Sequence, residues 1–124
     1  MLYQQMDGVI PTMFRVEGIL RLYHWKTRSF ARHKASCEAI GHVVSAMDTI
    51  VETLLGHVGR DALIANGFSV QYVTPNDATI VMELQALCDW LNGWRWAAQW
   101  TDIQNLRDDL VGKIRQVLYL MTLE

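Results

Sequence analysis

Basic residues are not in excess in this 124-residue chain: 11 Lys and Arg stand against 13 Asp and Glu, for a formal net charge of −2. Such a balance supplies no electrostatic footprint for nucleic acid or for an anionic membrane surface. Cysteine is scarce, with Cys37 and Cys88 standing alone and no CxxC spacing. The pair reads as reduced thiols of a cytoplasmic protein, a disulfide between them being the alternative. No apolar run reaches the length of a membrane span, and "MLYQQMDGVIPTM" lacks the basic start of a signal peptide. No segment alternates with period two for long enough to argue a strand. Neither a Gly-rich phosphate loop nor a Gly-x-Ser-x-Gly elbow is present, and neither cysteine has a recognised histidine partner, so nucleophilic catalysis has little support.

What the chain has in quantity is apolar surface with helical spacing. At 51% hydrophobic residues, residues 1–124 suit a single domain, but one with more apolar surface than a small monomer hides. A homo-oligomer, at least a dimer, is the expected state. Met6, Ile10, Met13, Val16, Leu20 and Tyr23 form the first stripe, with Pro11 either starting or kinking the helix. Ser29 caps a second helix whose stripe is Ile40, Val43, Val44, Met47, Ile50, Val51 and Leu54, ending near Gly56 and Gly59. "GRDALIANGFSVQY" is a connector with room for one helical turn. "TPND" opens the third helix, with Thr74 as cap and Pro75 in the first position, and its core face runs Ile80, Leu84, Leu87, Cys88, Leu91 and Trp94. Thr101 and Gln104 are spaced as a capping box before the fourth stripe of Ile103, Leu106, Leu110, Ile114, Val117 and Met121. The fold expected is all-α, an antiparallel four-helix bundle in which the longer connector between helices 2 and 3 permits a crossover.

Four polar residues in the first half have the types and spacing of metal ligands: His24, His33, Asp48 and Glu52. Asp48 and Glu52 are four apart on one helix face, as are His33 and Cys37. The two pairs cannot meet within one chain, because fifteen residues of continuous helix separate His33 from Asp48 by roughly 22 Å. Two copies of the second helix packed antiparallel across a two-fold axis would bring the histidine end of one to the carboxylate end of the other. Two imidazoles and two carboxylates suit iron, manganese or zinc. The plain alternative is a solvated acidic face and an interfacial histidine.

"YHWKT", His33 and "DTIVE" resemble the metal-binding half of the Dps branch of ferritin-like proteins. The resemblance implies His24 and His33 as ligands from one subunit, Asp48 and Glu52 from the other, and iron or another first-row divalent metal between them. "YHWKTRSFARHKAS" and "IQNLRDDLVGKIRQVLYLMTL" are similar to a small ferritin-like family of uncharacterised function, found largely in bacteriophages and large DNA viruses. A viral origin, and the host cytoplasm as location, follow from that likeness. Cys37 stands where the Dps pattern has an acid, which makes it a further candidate ligand and implies metal binding with at most weak ferroxidase activity. The interval from His24 to His33 is also shorter than the pattern, so the turn must be tighter. Ferritins place Glu-x-x-His on two helices, and no such motif occurs here.

"DWLNGWRWAAQW" adds a second point of interest. Trp96 and Trp100, if they point outward, are either buried between subunits or form an aromatic shelf for a planar ligand, with Arg95 for its phosphate. The rival functions are accordingly a non-catalytic viral protein binding a small ligand or host factor, and a structural module of a virion. DNA binding is not expected despite the Dps likeness. The first fourteen residues carry no Lys or Arg, the end "YLMTLE" has no basic tail, and the one basic run lies at the turn beside the candidate site.

Overall fold

The computed structural model describes residues 6–64 and 67–123; both chain ends, and Ala65 and Asn66 of the connector, lie outside the described residues. Among the described residues the chain is helical, with no strand. Its elements are α1 (Val9–Lys26), α2 (Phe30–Val58), the short α3 (Arg60–Leu63), α4 (Asp77–Asn92), a 3-10 segment (Arg95–Gln99) and α5 (Thr101–Leu120).

Local chemistry explains where the helices begin. Pro11 lies in the first turn of α1, where its missing N–H costs nothing, and the first helical bond runs from Thr12 N–H to the Gly8 carbonyl at 3.1 Å. It therefore starts the helix and does not kink it. Ser29 caps α2, its hydroxyl accepting from Arg32 N–H at 3.2 Å. At the other end Gly59 stops α2 with φ +85, a conformation that favours glycine.

Two expected caps move. In α4 the cap is Asn76, not Thr74, and Pro75 stays outside the helix, buried. The Asn76 amide oxygen accepts from Ala78 and Thr79 N–H, both at 2.9 Å, while Thr79 Oγ1 accepts from Asn76 N–H at 2.8 Å. Asparagine caps at least as well as threonine, and only Asn76 has a hydroxyl three residues on to reciprocate. Thr101 is already the first residue of α5, so it caps nothing; Gln104 instead donates to the Ala97 carbonyl at 3.1 Å.

Contacts between ends fix the direction of each helix. Arg15 forks onto Glu83 at 2.6 and 3.1 Å, and Tyr23 donates to Asp77 at 2.7 Å. As α1 advances α4 retreats, so the two are antiparallel. Arg32 at the start of α2 reaches the Asp77 carbonyl at 2.9 Å, whereas His57 at the end of α2 reaches Asp102 at the start of α5. α2 and α4 thus start at the same end and run parallel, and the described second part of the connector, residues 67–76, runs back along α1. That crossing is close: a Cβ on Gly18 would overlap the Tyr72 ring. α2 packs chiefly on α1 and α5, α4 on α5 and, less extensively, α1.

The inner faces meet in one core that includes Leu20, Val43, Ile50, Leu54, Leu84, Leu91 and Ile114. The α2 stripe is wider than this core needs. Val44 is exposed while Met47 and Val51 are half-buried, and with Ile10, Phe14 and Asp48 they line an open groove of about 360 Å³ between α1 and α2.

Candidate functional site

The turn between α1 and α2 is three residues, Thr27 to Ser29, tied by Thr27 N–H to the Tyr23 carbonyl at 2.9 Å and Ser29 N–H to Thr27 Oγ1 at 3.2 Å. So short a turn sets the last turn of α1 beside the first of α2. His24 and His33 then face each other, rings stacked with centroids 3.9 Å apart and planes 18° from parallel. Each ring is anchored by the other's backbone. His33 Nδ1 lies 3.0 Å from the His24 carbonyl, and His24 Nδ1 lies 3.0 Å from the His33 carbonyl and 3.1 Å from Ser36 Oγ. Ser36, fully buried, passes its own proton to the His33 carbonyl at 3.0 Å.

A carbonyl oxygen can only accept, so both Nδ1 atoms carry a proton, and in the neutral form of each ring Nε2 presents the lone pair. This is how metal-ligating histidines are commonly held: one nitrogen fixed by a backbone carbonyl, the other free to coordinate. Neither Nε2 has a protein partner among the described residues.

Behind the pair, Arg32 donates to Tyr23 Oη at 3.1 Å as Tyr23 donates to Asp77, binding the turn to the head of α4. Burial, and then the hydrogen bond to Asp77, push the Tyr23 hydroxyl above its ordinary pKa. Arg32 lies in the first turn of α2 and Asp77 in the first turn of α4. Nothing in their spacing, 45 residues apart, announces the contact.

Asp48 and Glu52 project from the outward face of α2, exposed and without a hydrogen-bond or ion-pair partner among the described residues. Cys37, also exposed, lies one turn beyond His33. α2 is continuous from Phe30 to Val58, so the histidine pair and the acid pair stay apart as the helix rise requires. Among the described residues no three His, Cys, Asp or Glu side chains of one chain converge on a point. A four-ligand centre from these residues therefore needs a second copy.

The aromatic shelf does not form. Gly93 breaks the helix after Asn92, and the 3-10 turn that follows carries Trp94 and Trp96 into the core at 3% and 2% exposure. Trp94 stacks on Trp96 at 4.8 Å and meets the edge of Trp90 at 5.0 Å. Trp96 has no free face for a ligand, and Arg95 points to solvent without it. Trp100 instead stacks on His57, centroids 4.5 Å apart, while His57 Nε2 sits 3.0 and 2.9 Å from the two oxygens of Asp102. Partial desolvation pushes Asp102 up, but the bonds from His57 and Ile103 N–H outweigh it and hold the carboxyl below its ordinary range. This cluster joins the end of α2 to the start of α5, a pairing that no motif foretold.

No curated protein and no solved structure matches the chain. A family model does, over residues 24–121, a span that opens at the first of the stacked histidines and takes in Cys37, both acids, the tryptophan segment and α5. The chain belongs to that family, described as a family of unknown function (DUF5856).

Proposed function

We propose that this protein is a ferritin-like, Dps-like metal-binding protein whose centre is shared by two copies across a two-fold axis. His24 and His33 come from one copy, Asp48 and Glu52 from the other. The observation that carries the reading is the reciprocal anchoring of the two imidazoles, which fixes both tautomers and leaves both Nε2 atoms free. Two further features support it. One long crossover between otherwise antiparallel neighbours is the connectivity of ferritin-like bundles. The acids that complete the set lack any partner among the described residues of their own chain.

Two imidazole nitrogens and two carboxylates fit a first-row divalent ion such as iron, manganese or zinc, and thiolate from Cys37 would shift preference towards zinc. When iron is bound, such a centre supplies an open position at which an oxidant can take its electron. The protein's own part is to hold both rings in one orientation and to place two carboxylates opposite them. With Cys37 where an acid would stand, oxidation is slow and retention of metal is the main activity.

The test is complementation. A His24→Ala/His33→Ala chain and an Asp48→Ala/Glu52→Ala chain should each fail to bind iron or zinc in titration calorimetry. Mixed and re-associated, they restore one intact centre in each heterodimer, where the wild-type dimer has two. Mixtures that bind no more than the separate variants would overturn the shared centre.

A further inference from the structure

The outward face of α2 has a symmetry that single-chain packing does not explain. Gly41 is exposed in the first half of this 29-residue helix, well inside its ends. A mid-helix glycine costs about 0.5–1 kcal/mol relative to alanine. Nothing in the chain requires it, because a Cβ there would meet no atom within 4 Å. Around it the residues pair by distance. Cys37 and Ser45 lie four residues before and after Gly41, Lys34 and Asp48 seven, Phe30 and Glu52 eleven. Intervals of four, seven and eleven keep all of them within about 40° of Gly41 around the helix. Lys34, Asp48 and Glu52 have no ion-pair partner among the described residues, and the Lys34 ammonium lies 5.6 Å from the ring centroid of its own Phe30. Phe30 is 74% exposed.

We propose that this face is self-complementary and that its partner is a second copy of the chain, with Gly41 on the two-fold axis. The proposal deepens the metal reading by giving the register of the interface on which that reading rests. Two such helices packed antiparallel about Gly41 place Lys34 of each copy against the partner's Asp48, twice per dimer. Cys37 then faces the partner's Ser45, so small side chains flank the axis along the line of Gly41. His33 falls level with the span between the partner's Asp48 and the partner's Glu52. Phe30 reaches the end of the partner's apolar groove, the one lined by Phe14, Val44, Met47 and Val51. An interface built from one patch on both copies is isologous and closes as a dimer. Because Lys34 adjoins His33, the partner's acids meet positive charge even before an ion binds, and the dimer forms without metal.

The experiment uses the full chain, stripped of metal by chelator throughout. A Cys37→Ser/Gly41→Cys variant should form an intersubunit disulfide under mild oxidation, since a residue on the axis faces its own copy at the short Cα separation a disulfide needs. Cys37→Ser alone should not, Cys88 being buried. Gly41→Leu should fold, as a Cβ at this position meets no atom within 4 Å, but should sediment as a monomer. Lys34→Glu should weaken the dimer about tenfold by turning two attractive pairs repulsive, and Lys34→Glu/Asp48→Lys should restore it. No cross-link, together with a Gly41→Leu variant as dimeric as wild type, overturns the register. The outcomes separate from those for the metal. A cross-link in protein that binds no metal keeps this face and removes the centre. Metal uptake through the four ligands with Gly41→Leu still dimeric keeps the centre and removes this register.

Discussion

Ser36→Ala tests the anchoring of the histidine pair with the least disturbance of anything else. Ser36 is fully buried, and its hydroxyl accepts from His24 Nδ1 at 3.1 Å and donates to the His33 carbonyl at 3.0 Å. Alanine removes both bonds but orphans neither partner, because His24 Nδ1 keeps the His33 carbonyl directly at 3.0 Å. The cost is therefore that of a net hydrogen bond, about 1 kcal/mol, and not the larger penalty of an unsatisfied buried group. For a chain of this size that lowers Tm by roughly 3–5 °C, readable by circular dichroism in the presence of chelator. The looser His24 ring should cost metal affinity about tenfold or more, as outer partners of ligating histidines do.

The same variant exposes the tautomer directly. Long-range proton–nitrogen correlation spectra of the wild type should show His24 and His33 protonated at Nδ1 and bare at Nε2. In Ser36→Ala the His33 signals hold while His24 begins to exchange between tautomers. A wild-type spectrum with either ring in the neutral Nε2–H form, bare at Nδ1, would refute the reasoning, as the backbone carbonyls would then not be the acceptors. A stability loss beyond about 3 kcal/mol would refute it differently, by showing that a buried group had been stranded.

Restoring the acid with Cys37→Asp should strengthen iron uptake in calorimetry, and an unchanged isotherm would remove position 37 from the centre. Tyr23→Phe should destabilise by about 1–2 kcal/mol through the lost bond to Asp77. The Tyr23 hydroxyl is raised in the fold, so its contribution is whole below pH 10 and disappears as pH rises through the folded value; Tm between pH 8 and 11 should fall less steeply in the variant. Asp102 is lowered in the fold, so its contribution is whole above the ordinary carboxylate range and fades as pH falls through the folded value. Asp102→Asn should flatten that acid limb, and an unaltered limb would mean that the His57 contact carries no stability. In a low-salt gel shift, plasmid should not be retarded at micromolar protein, whereas retardation abolished by physiological salt would mark the turn from Arg21 to Lys34 as a DNA contact.

Helix positions were legible because burial follows period. In α4, Ile80, Leu84, Leu87, Cys88 and Leu91 are all buried, as the 3.6-residue spacing demands. What the pattern could not reveal is where the chain chooses between equivalent local bonds. Thr74 and Asn76 are both good caps, and only the reciprocating Thr79 decides. The tryptophan segment departs from helical spacing for a related reason. Helical spacing was extended through Gly93, and a 3-10 turn rotates Trp96 inward where a continued helix would have turned it out. The His24/His33 pair was legible as a pair of residue types, but not its stacking or its carbonyl anchors. Those depend on a three-residue turn whose geometry no residue in it specifies alone. Tyr23–Asp77 and His57–Asp102, at separations of 54 and 45 residues, left no local trace at all.

The two histidine clusters, at opposite ends of α2, show how surroundings assign different roles to one residue type. His24 and His33 spend Nδ1 on neutral carbonyls, which fix orientation without consuming the lone pair at Nε2. His57 spends Nε2 on a carboxylate and covers its face with Trp100. An ion arriving at His57 would have to displace Asp102 from the ring and would gain no second imidazole in return. The first pair is built to donate electron density outward, the second to hold two helix ends together. Adding zinc or cobalt should therefore perturb the ring signals of His24 and His33 and leave those of His57 in place. Movement of all three together would mean that the metal acts by binding surface imidazoles wherever it finds them, and the anchored pair would lose its claim to be a centre.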